Sequence, residues 1–464
     1  MAQNTPCCAL VLAAGKGTRM KSRLPKVMQP VLEEPMLFYV IEALKKAGIR
    51  DIAVVIGSGG ETVEKWLSDN YPDVTAIWQR EQLGTGHAVM MASDWIKDKG
   101  RVLVVNGDMP LLTEDDINSF LDKSADSDVS FVTCCLDDAA SYGRVVRRGG
   151  SVSIVEAKDA TPEELAIKEI NVGIYMFKGD FLLDGLSRLT QDNNQGEFYI
   201  VDLIALACAD GLSVAPVELP PENLDGVNNP LEMTKVSTKL RDRILAFWLL
   251  NGVKCVDAES VWISPRASFK GEAILYPNVQ IWGSSEIGDG CVIASGTVLR
   301  NCVLKEGVQC FGYVVAQDVV AEAGVTMGPF CFLRDGTHLL RDSFAGKFVE
   351  IKNSEIGEGT KVPHLSYMGD AVIGSGTNIG AASVTCNFDG VNKNRTHIGA
   401  NCFVGSDTMF VAPVNVGDNA TVGAGSVITK DVPEGALAIA RGRQVIIDDW
   451  SRRKILGQEK NTEA

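Results

Sequence analysis

"IGANCFVGSDTMFVAPVNVGDNATVGAGSVITKDV", residues 398–432, places Ile398, Val404, Phe410, Val416, Val422 and Ile428 six residues apart, often with a small residue next. A helix repeats about every 3.6 residues and a strand about every two, so a period of six suits neither. A strict hexad suits a coil with three short flat faces, each turning one aliphatic inward. Coils of this kind wind left-handed, an exception to the usual handedness of parallel crossovers. Ile287, Ile293 and Leu299 keep the beat, as do Ile356 with Val362 and Ile373 with Ile379. It is ragged between 300 and 330. It breaks between Thr385 and Ile398 at "CNFDGVNKNRTH", which reads as a loop thrown out of the coil. The repeat speaks for a left-handed parallel β-helix and says little about function.

Upstream, residues 230–252 read as one helix: Val236, Leu240, Ile244 and Trp248 recur every four positions and Gly252 supplies a stop. Before about residue 229 the pattern changes again. "AVVIG" (53–57), "RVLVVNGD" (101–108) and "VSFVTC" (129–134) are strand-like runs. "MLFYVIEALKKAG" (36–48) and "GHAVMMASDWI" (86–96) between them are amphipathic and predict helices. This alternation predicts a Rossmann-like α/β domain with a mainly parallel sheet, whose ligands gather beyond the carboxyl ends of the strands. The expected division is therefore 1–229 for the α/β domain, 230–252 for a linker helix, and 253–464 for the β-helix with a C-terminal tail.

A chain of 464 residues is too long for one core, which agrees with that division. At 45% hydrophobic and 22% charged it reads as ordinary globular protein. A net charge of −15 argues against a nucleic-acid or anionic-membrane surface, so a phosphate ligand must be met by local cations. The twelve cysteines are scattered and form no C-x-x-C pair, which reads as reduced thiols of a cytosolic protein without structural zinc. Residues 1–20 hold a short apolar run without basic flank or cleavage signature, and no stretch reaches membrane-spanning length. A cytoplasmic protein without membrane insertion is expected.

"LVLAAGKGTRMKSRLPKV" (10–27) runs from a strand into Gly15 and Gly17 and then adds Arg19 and, behind Pro25, Lys26. It is neither a P-loop nor a dinucleotide fingerprint, because Met20 stands where a third glycine would be. Such a turn can wrap a pyrophosphate with its N–H groups while the cations neutralise charge, or it can be a plain tight turn. "VLVVNGDMPLL" (102–112) ends a strand on Asp108, which either holds Mg²⁺ against phosphate oxygens or caps the helix starting near "TEDDI". "QLGTGHA" (82–88) is another glycine turn, offering Thr85 and backbone donors to a base or phosphate; its His87 reads as a helix-start residue. "YGRVV" (142–146), "IVEAKDA" (154–160), "INVGIY" (170–175) and "GVNNP" (226–230) carry polar groups at the ends of apolar runs. The chain has only four histidines; His364, in "KVPHLSYMGD" (361–370), sits where the hexad is interrupted. It is either a general base, as a neutral imidazole near pH 7, or a structural histidine at a coil corner.

Taken together and in order, from "LAAGKGTRM" (12–20) to "ALAIARG" (436–442), these stretches resemble the bacterial bifunctional N-acetylglucosamine-1-phosphate uridylyltransferase / glucosamine-1-phosphate N-acetyltransferase family. The resemblance implies acetyl transfer from acetyl-CoA to glucosamine 1-phosphate, then uridylyl transfer from UTP to N-acetylglucosamine 1-phosphate with release of pyrophosphate. It implies that Leu12, Ala13, Ala14, Gly15, Lys26, Gln79, Gly84 and Thr85 bind the uridine nucleotide. Asn106, Gly107 and Asp108 follow, with Gly143, Glu156 and Asn171 around the sugar, and Asp108 and Asn228 as Mg²⁺ ligands. On the coil it implies His364 as base, and Arg334, Lys352, Tyr367 and Asn378 on the amino-sugar phosphate. Ala381, Asn387, Phe388, Ser406, Ala424 and Arg441 would lie along acetyl-CoA, in a homotrimer whose adjacent subunits complete each acetyl site. The chain departs from the family at "NFDG" (387–390), where tyrosine is usual for Phe388, and at "LRDG" (333–336), where proline is usual for Asp335.

Two rivals differ in class. One is a hexose-1-phosphate nucleotidyltransferase whose β-helix only regulates or oligomerises; His364 with Lys352 and Arg334 counts against it. The other is a non-catalytic scaffold, opposed by Lys26, Asp108 and Asn228.

Overall fold

The computed structural model describes residues 7–139, 141–149 and 151–452; positions 1–6 of the expected first domain and 453–464 of the expected tail lie outside them. The chain divides into two compact units, one up to Arg243 and one from Ile244.

The first unit is built on a nine-stranded sheet. Its main path runs Val214–Glu218, Val129–Cys135, Glu169–Lys178, Arg101–Asn106, Cys7–Ala13, Ile52–Ile56, Thr75–Trp78. Neighbours are parallel except around Glu169–Lys178, which runs antiparallel to both strands beside it. The strand Ile52–Ile56 is buried along its whole length, as a parallel strand covered on both faces must be. Cys7–Ala13 has Ile52–Ile56 on one side and Arg101–Asn106 on the other. The chain leads on from Cys7–Ala13 to Ile52–Ile56 on one side and from Arg101–Asn106 to Val129–Cys135 on the other, so a crevice opens beyond the carboxyl ends of these two neighbours.

The stretch 86–96 differs from the single helix its pattern predicts. It forms two short ones, Thr85–Met90 and Ser93–Ile96. Ala92 N–H bonds back only three residues, to Val89, and the Ser93 hydroxyl takes the Met90 carbonyl at 2.7 Å. That side-chain bond competes with helix continuation, as serine commonly does.

The second unit is a left-handed β-helix of hexapeptide repeats, with three parallel sheets of eleven, ten and nine strands as its flanks. The inward aliphatics form one continuous core from Phe269 to Ile428 and beyond. The ragged stretch has a geometric cause. Val298 pairs with Val315 and Val303 with Val320, so these coils have 17 residues (315 − 298 = 17), one short of three hexads. The missing residue always leaves at the corner between the ten- and nine-stranded sheets. There the inward steps Leu299 to Leu304, Ala316 to Ala321, Ile351 to Ile356 and Met368 to Ile373 are five residues long. The break from Thr385 to Ile398 falls at the same corner, where the extra residues loop out. At this shortened corner the left-handed positions go to Asn301, Asp318, Asn353 and Asp370, residue types that tolerate positive φ. They also stack: Asn301 Nδ2 donates to Asp318 at 3.1 Å and Asn353 Nδ2 to Asp370 at 2.5 Å.

The stretch read as a linker forms the helix Pro230–Leu250. Val236 and Leu240 are buried, and Ile244 and Trp248 pack on the core of the coil, the Trp248 ring 4.9 Å from that of Phe269. No helix among the described residues is long and apolar enough to cross a membrane.

Candidate active sites

Beyond the strand ends of the first unit lies a cleft of about 530 Å³, lined by Leu12, Ala13, Ala14, Gly15, Lys26, Gln79, Gly84, Thr85, Asn106, Asp108 and Asn228. A smaller one of about 200 Å³ is lined by Gly143, Glu156 and Asn171, and shares Thr85, Asn106, Asp108 and Asn228 with the first. Fourteen of the fifteen expected nucleotide and sugar residues thus line one cleft or the other. The exception is Gly107, buried beneath, whose N–H bonds to the Leu12 carbonyl at 2.9 Å and ties the two strand ends together.

The shared residues meet at a cation. Lys26 Nζ bonds to Asp108 Oδ2 and, at 2.8 Å, to Asn228 Oδ1, and Arg19 donates to the same Asn228 oxygen at 2.8 Å. Asn228 is held from behind: its N–H donates to Glu232 at 2.7 Å, and Val227 N–H bonds to the Asp108 carbonyl at 3.0 Å. Asp108 caps no helix. The helix Glu114–Lys123 is capped by Thr113 and Asp116 in a reciprocal pair, which leaves the Asp108 carboxylate for the cleft. Among the described residues no three His, Cys, Asp or Glu side chains gather as a metal cage. All twelve cysteines are free thiols.

The "QLGTGHA" turn is fastened to the segment Phe198–Ile200. Gly86 N–H reaches the Phe198 carbonyl at 2.7 Å, and Ile200 N–H donates to Thr85 Oγ1 at 3.1 Å. Gly84 sits at φ +106°, and a Cβ there would lie 2.5 Å from the Phe198 oxygen, so no other residue fits. In the smaller cleft, Asn171 Nδ2 donates to the Tyr175 hydroxyl at 2.6 Å, across a bulge in the strand Glu169–Lys178. Burial pushes the Glu156 carboxyl above the usual carboxylate range, and the nearby Asp159 and Asp202 push it further.

Three further cleft residues lie inside the strings "QLGTGHA", "YGRVV" and "INVGIY". Gln82 Nε2 donates to the Ala14 carbonyl at 2.9 Å, Tyr142 OH accepts from Gly226 N–H at 3.3 Å, and Tyr175 backs Asn171. Their signal was their place beside a glycine turn or strand end.

On the coil, Arg334 pairs with Glu350 at 2.8 Å, and Glu350 stands in register with Tyr367 on the next coil. Lys352 lies two residues along the same strand, and Asn387 Nδ2 donates to the Tyr367 hydroxyl at 3.4 Å and to Asp370 at 2.5 Å. His364 ends the strand Lys361–His364, which pairs with Asn378; its ring is exposed. Ala381, Ser406, Ala424 and Arg441 follow one another on successive coils. The Ala381 carbonyl accepts from Asp407 at 2.7 Å, that of Ser406 from Gly425 at 2.8 Å, and that of Ala424 from the Arg441 guanidinium at 2.8 Å. Ser406, Ala424 and Arg441 are exposed, and so is Phe388, whose ring lies 4.5 Å from the Lys393 ammonium. Backbone N–H groups of Asn392 and Val391 hold the neighbouring Asp389 carboxyl down at about 2.

Residues 9–216 match the MobA-like NTP transferase domain, and residues 395–430 match the hexapeptide repeat of succinyl-transferase. A bifunctional protein GlmU from Clostridium botulinum strain 657 is 41% identical over 96% of this chain and 98% of its own. Another, from Nitratidesulfovibrio vulgaris strain Hildenborough, is 45% identical over 94% and 97%. The solved structure of a putative glucose-1-phosphate thymidylyltransferase from Bacillus anthracis is 20% identical over 51% of this chain and 96% of its own, with a TM-score of 0.43. Relatives that align along almost the entire length, through both units, leave one assignment: the chain belongs to the family of bifunctional GlmU proteins, N-acetylglucosamine-1-phosphate uridylyltransferases that are also glucosamine-1-phosphate N-acetyltransferases.

Proposed function

We propose that each unit carries one of the two reactions. The observation that carries the first is the meeting of Lys26, Asp108 and Asn228 where the two clefts share their walls. UTP occupies the larger cleft, its phosphates along residues 12–17 and its base toward Gln79, Gly84 and Thr85. The sugar of N-acetylglucosamine 1-phosphate occupies the smaller one, beside Gly143, Glu156 and Asn171, with Asn106 and Gly107 at the strand end. A phosphate oxygen of the sugar attacks the α-phosphorus; the new P–O bond forms as the bond to the β-phosphate breaks, and pyrophosphate leaves. Lys26 and Arg19 neutralise the charge that develops, and positioning does the rest.

Asp108 and Asn228 offer hard oxygen donors around a point that already holds a cation, the Lys26 ammonium. That donor set fits Mg²⁺, which takes one or two protein oxygens and completes its shell from phosphates and water. When bound, the ion neutralises phosphate charge and fixes the phosphate oxygens in place.

On the coil, Arg334, Lys352, Tyr367 and Asn378 hold the phosphate of glucosamine 1-phosphate. His364 takes a proton from the amine, whose nitrogen attacks the thioester carbonyl of acetyl-CoA. The N–C bond forms, the C–S bond breaks and coenzyme A leaves. Ala381, Asn387, Phe388, Ser406, Ala424 and Arg441 line the coenzyme. Because His364, Phe388, Ser406, Ala424 and Arg441 are exposed in a single chain, a homotrimer whose neighbour covers this face is the assembly that suits them. Acetylation precedes uridylylation, in the cytoplasm, with no nucleic-acid partner and no membrane insertion; the net charge of −15 counts against a nucleic-acid or anionic-membrane surface.

Mass spectrometry of products from glucosamine 1-phosphate, acetyl-CoA, UTP and Mg²⁺ tests both reactions together. The expected product is UDP-N-acetylglucosamine. Uridylylation of supplied N-acetylglucosamine 1-phosphate without any acetyl transfer would leave the β-helix a regulatory or oligomerising element.

A further inference from the structure

We propose that His87 is a positioning residue for nucleobase selection, a neutral imidazole that fixes the Gln79 amide with its oxygen toward the base. The inference rests on the reading of Gln79 as part of the uridine-nucleotide site.

Gln79 follows the strand Thr75–Trp78 and is 4% exposed, yet it lines the larger cleft. Its Nε2 stands 3.1 Å from the Gly84 carbonyl oxygen and 3.0 Å from His87 Nδ1. A carbonyl oxygen only accepts, so the amide atom facing it is the NH₂ group and not the oxygen. The second N–H of that group points at Nδ1, and a proton on Nδ1 would set donor against donor. The proton of the ring therefore resides on Nε2, and the ring is neutral. Both amide donors are spent on protein. Oε1 makes no hydrogen bond with any described residue, which leaves the side chain presenting an acceptor to the cleft.

Uracil carries an N–H at N3, whereas cytosine carries a lone pair there. A fixed acceptor at this point favours the first base and repels the second, the kind of polar mismatch that discriminates most strongly. A free glutamine could turn its amide to suit either base; this one is held by two partners. His87 itself is held: its ring stacks on Phe198 at 6.3 Å and 24°, and its turn is fastened to Phe198 by the Gly86 bond. It acts through Gln79.

The test compares kcat/KM for UTP and CTP in the full-length enzyme with Mg²⁺ and N-acetylglucosamine 1-phosphate. His87→Phe keeps the stacking and removes the acceptor; the UTP/CTP ratio should fall about tenfold, chiefly through KM for UTP. His87→Asn returns an acceptor oxygen near the place of Nδ1 and should restore the ratio. A ratio unchanged in His87→Phe, even with lower total activity, overturns the positioning role. Gln79→Ala separates the two levels: full selectivity in that variant means the reading of the base site itself is wrong. If Gln79→Ala loses selectivity and His87→Phe keeps it, the base site stands and the role of His87 falls. Nitrogen-15 NMR of the unmutated enzyme gives an answer independent of any variant's folding: an unprotonated Nδ1 on His87 supports the proposal, and a proton there refutes it.

Discussion

The Lys26 ammonium lies 2.8 Å from the side-chain oxygen of Asn228, a residue 202 positions further along the chain. Asp108 bonds to the same ammonium from just beyond the strand Arg101–Asn106. The two clefts described above both include Asp108 and Asn228 in their walls, and under the proposed assignment the cation stands where nucleotide and sugar phosphate meet.

Asp108→Ala removes the only carboxylate bonded to that ammonium among the described residues. The uridylyl step should slow by roughly a hundredfold or more, while acetyl transfer is nearly untouched. A pyrophosphate-release assay across Mg²⁺ concentrations checks this. Near-normal release would remove Asp108 from the metal and phosphate chemistry.

Glu156 yields a pH prediction. Burial, with Asp159 and Asp202 adding to it, raises its carboxyl above the unfolded value, so the folded state holds this proton more tightly. Stability from the group is full below the ordinary carboxylate pKa and is lost as pH rises through the raised folded value. Glu156→Gln should therefore melt at a higher temperature than wild type at pH 7, with the difference closing toward pH 4. The same variant should bind the sugar phosphate more weakly. A melting difference independent of pH would contradict the burial argument.

His364→Ala should abolish most acetyl transfer, since a positioned base contributes about 10²–10⁴-fold. Uridylylation of supplied N-acetylglucosamine 1-phosphate should persist, because that chemistry is assigned to the other unit. A structural histidine would instead lower thermal stability or break the oligomer together with acetylation. Acetyl transfer, uridylyl transfer and oligomer size measured on one preparation distinguish these outcomes.

Exposed acetyl-site candidates predict that activity follows assembly. Light scattering should find a trimer wherever acetyl transfer is seen, and dilution that dissociates it should lose acetylation before uridylylation. A monomer that acetylates at full rate would refute the shared site.

The inward positions of the coil were readable from Ile398 to Ile428, because each is set by its neighbours six residues away along a regular winding. Between 300 and 330 the period is broken by five-residue steps. A coil of 17 residues closes as well as one of 18 once a corner shortens, and where that corner falls depends on stacking against the coils on either side. The strands ending in Ala13 and Asn106 were likewise legible, since apolar runs that stop at small or polar residues carry their own boundaries.

What the glycine loop faces was a different matter. Whether Asp108 capped a helix or turned to the cleft was open until Thr113 and Asp116 proved to cap that helix themselves. The pairing of Gln79 with His87 depends on how one turn is fastened to Phe198, more than a hundred residues away. Local periodicity and motif strings come from short-range sterics and burial, so one sequence contains them. The convergence of Lys26, Asp108 and Asn228 depends on the order of strands in the sheet, and only the packed fold decides which distant charges share a cleft.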